Sequence, residues 1–198
     1  MRRGGFLQPS LIALVALFAM GCGTTAPSRF YTLDSTAAGD AAPPARYGVI
    51  VGPVSIPASV DRPQFVVQIA PNRVDVDEFN RWAAPLGDSI ASVVAGNLVV
   101  LLGTPQVATG SLANFNPDYR VTINVQRFES VRAESAILDA LWTVQRIGGG
   151  PAHSGRTVAR EAVQGEGFDA LAAAHSRALA TMSADIAAAI RAANDTVH

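Results

Sequence analysis

The stretch Tyr119-Arg120-Val121-Thr122-Ile123-Asn124-Val125-Gln126 alternates apolar and polar side chains without a break. Successive side chains of a strand point to opposite faces, so the run predicts a half-buried strand with Tyr119, Val121, Ile123 and Val125 turned inward. Ser135 to Ile147 follows. One side carries Ala136, Leu138, Ala140, Trp142 and Val144, the other Ile137, Asp139, Leu141, Thr143 and Gln145, so this strand is expected to be covered on both faces. Gly148-Gly149-Gly150-Pro151 turns the chain, and Arg156 to Gln164 returns as an antiparallel partner.

Two helices flank this unit. Phe168 to Ala193 is rich in alanine, the best helix former, and Phe168, Leu171, Ala172, His175, Leu179, Met182, Ile186 and Ile190 draw one stripe along it. Upstream, Leu86, Ile90, Val93, Val94, Asn97, Leu98, Leu101 and Leu102 recur at intervals of three and four. Pro85 suits the start of that helix, and Gly103 with Pro105 suits its end. Asn97 lies on the apolar stripe, so it is expected to be hydrogen-bonded or near an edge.

Tyr47 to Trp82 reads as short strands. Gly48 to Val54 is closed by Pro53, Ile56 to Pro63 is a loop or single turn, and Phe65–Ile69 with Val74–Val76 flank Pro71-Asn72-Arg73 in the pattern of a hairpin. Phe79 to Trp82 is an edge strand or the entry to a helix. Gln106-Val107-Ala108 is a brief strand, and Arg29-Phe30-Tyr31-Thr32-Leu33 a short one rich in aromatic and β-branched residues. Between it and the main body, Asp34 to Arg46 is dominated by Ala, Gly and Pro and is expected to be a flexible linker. The sum is an α+β fold: a mostly antiparallel sheet with two amphipathic helices packed on one face, after a cleaved lipoprotein signal peptide.

That signal is read from Leu11 to Cys22, LIALVALFAMGC, which Arg2 and Arg3 precede. A charged start, a short apolar core and a small residue before the cut make a secretory signal. A membrane-spanning helix needs roughly 20 apolar residues, and this run is shorter. The chain's only cysteine sits at the cut and has no partner for a disulfide. One reading is an unpaired thiol in a discarded signal. The other is a bacterial lipobox, in which the Cys22 thiol receives a diacylglycerol and the new amino terminus is acylated. Gly21 fits the small residue required there, while Ala19 stands where Leu is usual. Several acyl chains on one residue meet the need for more than one lipid in stable anchoring. Gly23 follows the cysteine where Asp often signals inner-membrane retention, so the resemblance to bacterial lipoproteins implies the outer membrane, facing the periplasm. The domain plan is then 1–21 signal peptide, 22–46 tether with the strand 29–33 and linker, and 47–195 the α+β domain.

Cutting before Cys22 leaves 177 residues, enough for one self-sufficient core, and takes the formal charge from −1 to −3. All 15 basic residues are Arg. An acidic balance offers no electrostatic footprint for nucleic acid.

Chemistry is sparse. His153 lies near the Gly-rich turn, His198 is the last residue, and His175 sits on a helix's inner stripe, where a core role competes with a catalytic or metal one. No two histidines have ligand spacing, so no metal or other cofactor is expected. There is no G-x-S-x-G elbow, and Gly148–Gly150 lacks the Lys-Ser/Thr of a phosphate loop. Asp75, Asp77 and Glu78 cluster at a hairpin, as a weak cation site or as solvated charges. Trp and Arg are the residues most often found at interface hot spots, so Arg81-Trp82 is a candidate partner surface; packing of Trp82 in the core under Arg81 is the equal alternative.

Phe79-Asn80-Arg81-Trp82-Ala83-Ala84-Pro85-Leu86 resembles the hallmark of the PqiC-type auxiliary lipoproteins of ABC-type transport systems. Cys22 followed by Arg29–Leu33, then Val51-Gly52-Pro53-Val54, Val60-Asp61-Arg62-Pro63-Gln64, Tyr119-Arg120-Val121 and the closing helix from Phe168 fit in the same order. The resemblance implies a non-enzymatic outer-membrane lipoprotein that works with an MCE-domain protein and the ATPase and permease of an ABC transporter. Such systems move lipids or other hydrophobic molecules between two membranes and support envelope integrity. Since MCE proteins form rings or tubes, a ring-like homo-oligomer is a further expectation, with edge strands such as Phe30–Leu33 as pairing surfaces. The partner interface is expected at Phe30, Tyr31, Arg81 and Trp82. Two other classes remain open: a periplasmic scaffold or assembly lipoprotein unrelated to lipid transport, and a hydrolase using His153 or His175.

Overall fold

The computed structural model describes residues 26–39, 42–110 and 113–195. The signal peptide, Cys22 and His198 lie outside them. The elements are β1 (Arg29–Tyr31), β2 (Val49–Ser55), β3 (Gln64–Ala70), β4 (Arg73–Trp82), α1 (Leu86–Leu102), β5 (Val107–Ala108), β6 (Tyr119–Val131), β7 (Ser135–Arg146), β8 (His153–Ala162) and α2 (Gly167–Asp195).

The spine is the antiparallel run β6–β7–β8, formed where the alternating pattern places it. The other edge of β6 is shared. β2 pairs with its first half from Tyr119 to Asn124, and β3 touches its end at Ser130 and Val131. β5 extends the sheet from β2, while β4 and then β1 extend it from β3. Only β3–β4, β6–β7 and β7–β8 are antiparallel; β1–β4, β2–β5, β2–β6 and β3–β6 are parallel. The sheet is therefore mixed and curled, not mostly antiparallel as expected. Alternation reports that a strand exists and which face is wet, but not its direction. Here β2 and β3, close in sequence, both lie along β6 instead of pairing with each other.

β2 also runs through Pro53 instead of ending there. A cis Gly52–Pro53 peptide sits at a register shift between Val51 and Val54, a bulge where the missing proline N–H breaks no ladder bond.

α1 buries the predicted stripe, Asn97 included. Its end is a glycine cap: Gly103 adopts φ 63° and its N–H donates to Val100 O. α2 buries Leu171, Ala172, His175, Leu179, Met182, Ile186 and Ile190. The helices pack on each other, α1 against β2 and α2 against β7 and β8, and share one hydrophobic cluster with the inward faces of the strands. Ile137 and Asp139 are buried on the outer side of β7, but Leu141 is exposed, so the second face is covered in part.

Residues 32–39 form no helix or strand, yet they are held down. Asp34 N–H donates to Ser176 Oγ, Ser35 Oγ to Val93 O, and Ala37 N–H to Asn97 Oδ1. A Cβ on Gly96 would lie 2.2 Å from Ser35 Oγ, so this glycine lets the segment lie against α1. Asn97 completes its needs by donating Nδ2–H to Ser183 Oγ on α2. A stretch without periodicity is thus fixed by polar groups placed on the helices' inner faces.

Candidate docking surface

β1 lies parallel to the end of β4 with Arg29 opposite Asn80, Phe30 opposite Arg81, and Tyr31 opposite Trp82. The four residues singled out in the sequence are brought together as two cross-strand pairs. Because side chains alternate, the pairs face opposite ways. Tyr31 is 8% exposed and Trp82 6%; Phe30 is 64% exposed, and the Arg81 side chain 36%.

The inner pair belongs to an aromatic cluster. Trp82 stacks on Phe65 with ring centroids 4.1 Å apart, and Tyr31 meets Phe65 edge-on at 5.6 Å. Phe168 closes against Tyr31 and Phe65, and Phe128 against Trp82. The Tyr31 hydroxyl donates to Asn80 Oδ1 at 2.7 Å, so its polar tip is satisfied at the cluster's rim. Trp82 N–H donates to Pro63 O and Ala83 N–H to Tyr31 O, which lock the strand ends.

The outer pair rests on a bulge. β4 carries three more residues than β3 between the pairs Phe65–Asp77 and Gln64–Arg81. The Asp77 carboxylate accepts the N–H groups of Phe79 and Asn80, both at 2.9 Å, and so shapes the bulge. Against the pull of burial, hydrogen bonds from the Asn80 side chain and from the backbone of Phe79 and Asn80 hold the Asp77 carboxyl below its usual value. Arg81 Nε donates to Glu78 O at 2.8 Å, and its guanidinium lies 3.4 Å from the Glu78 carboxylate. Asp75 pairs with Arg132. All three acidic residues of the hairpin are thus engaged by their own chain, and no group of three metal-ligating side chains occurs among the described residues. Phe79, 40% exposed, joins Phe30 at this surface. Beside it, Arg62, Pro63, Trp82 and Pro85 line a shallow depression of about 390 Å³.

His175 is wholly buried. Its ring stacks on Phe128 at 3.9 Å, and Nε2 shares a hydrogen bond with Ser130 Oγ at 2.8 Å. Burial pushes its pKa down to about 3, so the ring is neutral and acts as a core side chain. Ser176 beside it is occupied in donating to Ala172 O and accepting from Asp34 N–H. His153 begins β8 opposite Val144, away from His175. These groups do bring the Ser130 hydroxyl to the His175 imidazole, but both residues are buried, 3% and 0% exposed, and the ring is packed on Phe128.

The sequence reading passed over Phe128, which joins Trp82 to His175. The signal was there: alternation through Val125 slips one residue at Gln126 and Arg127 before Phe128, the mark of the bulge that the β6–β7 register shows.

The sequence matches the family of ABC-type transport auxiliary lipoprotein components over residues 31–187, and the chain belongs to that family. It is therefore an auxiliary lipoprotein component of an ABC-type transport system, from a family that is not one of enzymes. Among curated proteins none matches the sequence. The fold is shared with a Xanthomonas campestris protein of family DUF330, at TM-score 0.70 and 20% identity over 86% of this chain and all of that one. It is also shared with an uncharacterized protein, at TM-score 0.69 and 20% identity over 83% of this chain and 99% of that one. Among the described residues no helix is long and apolar enough to cross a membrane.

Proposed function

We propose that this chain is a PqiC-type subunit of an MCE transport system. It would be lipidated at Cys22, held in the outer membrane facing the periplasm, and engaged in moving lipids or other hydrophobic molecules across that space in support of envelope integrity. Family membership supports the transport role, and Gly23 after the cysteine favours the outer membrane. The observation that carries the finer reading is the β1–β4 pairing. It sets Phe30, eight positions after Cys22, beside Arg81 on an exposed edge, with Tyr31 and Trp82 beneath fixing their position. An exposed aromatic beside an arginine is the composition of an interface hot spot. Here it would dock the periplasmic end of the MCE assembly and its ABC partners. β1 and β5 end the main path of the sheet and β8 ends the branch through β7, with no further strand beside them among the described residues, which gives a ring of identical copies free edges to join.

The test is cross-linking of the lipidated protein in its own envelope, followed by mass spectrometry. Recovery of an MCE-domain protein with ATPase and permease is the expected outcome. Recovery of outer-membrane or cell-wall components alone would replace this reading with that of a scaffold lipoprotein. Cys22→Ala should release the protein from the outer membrane, and a variant still located there would refute the anchor.

A further inference from the structure

We infer that the tip of the β3–β4 hairpin, Ile69 to Val74, rests on the phospholipid surface and sets the orientation of the domain on its membrane. The inference rests on the lipidation of Cys22 proposed above. Arg29 is seven positions on from Cys22, so the anchor is at most about 25 Å from the start of β1. β1 runs parallel to β4, so the chain reaches Arg29 from the side on which β4 begins. That side is the hairpin tip. From Asn80, opposite Arg29, back to Arg73 is also seven residues, about 23 Å of strand. At full extension the tether reaches as far as the arm beside it, so a bilayer that holds Cys22 can meet the tip.

The tip has the composition for that contact. Pro71-Asn72 closes the turn, with Ala70 opposite Arg73. Ile69 is 41% exposed and Val74 56%. The acids at this end are paired, Asp75 with Arg132 and Glu134 with Arg160. Arg73 has no salt-bridge partner among the described residues, so it leaves this end with one cation in excess. Apolar side chains beside an arginine suit the boundary between acyl chains and anionic headgroups.

The sole cysteine is consumed by the lipid, so an introduced one can be labelled alone. Lipidated Val74→Cys, carrying an environment-sensitive dye, would be placed in vesicles of phosphatidylethanolamine and phosphatidylglycerol with brominated acyl chains. Val158→Cys on β8, equally exposed but remote, serves as the reference. Flotation reads the anchor and quenching reads the tip. The expected result is co-flotation with the dye at 74 quenched several-fold more than at 158. Co-flotation with equal quenching would overturn this inference alone. Failure to float would overturn the Cys22 anchor and the inference with it. Circular dichroism of both labelled proteins guards against misfolding, and Ile69→Cys, expected to quench like Val74→Cys, repeats the test at a second tip position.

Discussion

The spine β6–β7–β8 and the arm β1–β4–β3 are parts of one sheet, but they are finished differently. The strands of the spine pair along nearly their whole lengths, and its outer face is a polar ladder. Arg156 binds Asp139 through two hydrogen bonds, Arg127 binds Glu129, Arg160 binds Glu134, and the Thr143 and Ser154 hydroxyls meet across the strands. Leu141 and Val158 stand among these groups. Arg156–Asp139 and Thr143–Ser154 are cross-strand pairs, which stabilise a sheet while keeping its face polar. The arm has a three-residue edge strand, a bulge, and Phe30, Phe79, Ile69 and Val74 left in the open. Four exposed apolar side chains thus lie on the arm. The spine acts as the base, and the arm is the part shaped to meet something else.

If that contrast holds, substitutions on the inner side of either part should cost stability, and those on the outer side of the arm should not. The largest effect is expected from Trp82→Ala. It removes an indole stacked on Phe65 and leaves a cavity among aromatic rings, at a cost of about 3–5 kcal/mol read by denaturant unfolding. Gly155→Ala comes next, on the spine. Its Cβ would lie 2.2 Å from Trp142 Cζ2. Trp142 cannot withdraw freely, because its Nε1–H donates to Thr157 Oγ1, which in turn donates to Asp185. Overpacking of this kind costs about 1–3 kcal/mol, visible as a lowered Tm. An unchanged Tm would mean that the indole shifts and the spine is looser than its ladder suggests.

His175 sharpens the comparison through pH. The folded ring has a pKa of about 3 through burial, below the ordinary 6.5 of the unfolded chain. The unfolded state therefore binds the proton first. The stability contributed by the neutral ring is complete above pH 6.5 and is lost as pH falls toward 3, by about 1.4 kcal/mol per unit. His175→Gln removes the titrating ring, so the slope of unfolding free energy between pH 6.5 and 5 should flatten. An unaltered slope would assign the pH dependence to other groups.

How these parts could be read from sequence follows from range. Each helix declares itself by a local period, and the α1 stripe is buried residue for residue. The spine joins neighbours in the chain through short turns, so its antiparallel order was legible. The parallel contacts were not, since β1 finds β4 some fifty residues away and β2 finds β6 beyond α1, and nothing in alternation encodes such a partner. The anchoring of residues 34–37 was hidden because each of its bonds joins a side chain to a backbone group far away in the chain, although Asn97 and Ser176, polar residues on buried helix positions, were the available trace. At the candidate site, Phe30, Tyr31, Arg81 and Trp82 stood out by type. Which of them faced outward depended on the bulge at Glu78 to Asn80, and a bulge changes parity without leaving a composition signal.

The smallest effect on stability is expected where the largest on function is. Phe30→Asp and Arg81→Glu act on the outward pair, one 64% exposed and the other in an exposed ion pair with Glu78. Surface changes of this kind fall within about 0.5 kcal/mol, and an exposed pair contributes at most about 1 kcal/mol. Tm should therefore move by no more than about 2–4 °C, while recovery of transport components from cross-linked envelopes falls several-fold. Unchanged recovery would move the partner surface away from the β1–β4 edge. Lost recovery with a collapsed Tm would mean that Phe30 holds β1 in place, and the outer face of the arm would then be as structural as the spine. Only the split result, with a stable domain that no longer captures its partners, separates docking from folding. The alternation along β1 and β4 makes that separation testable, because adjacent residues of the same two strands serve the core and the surface.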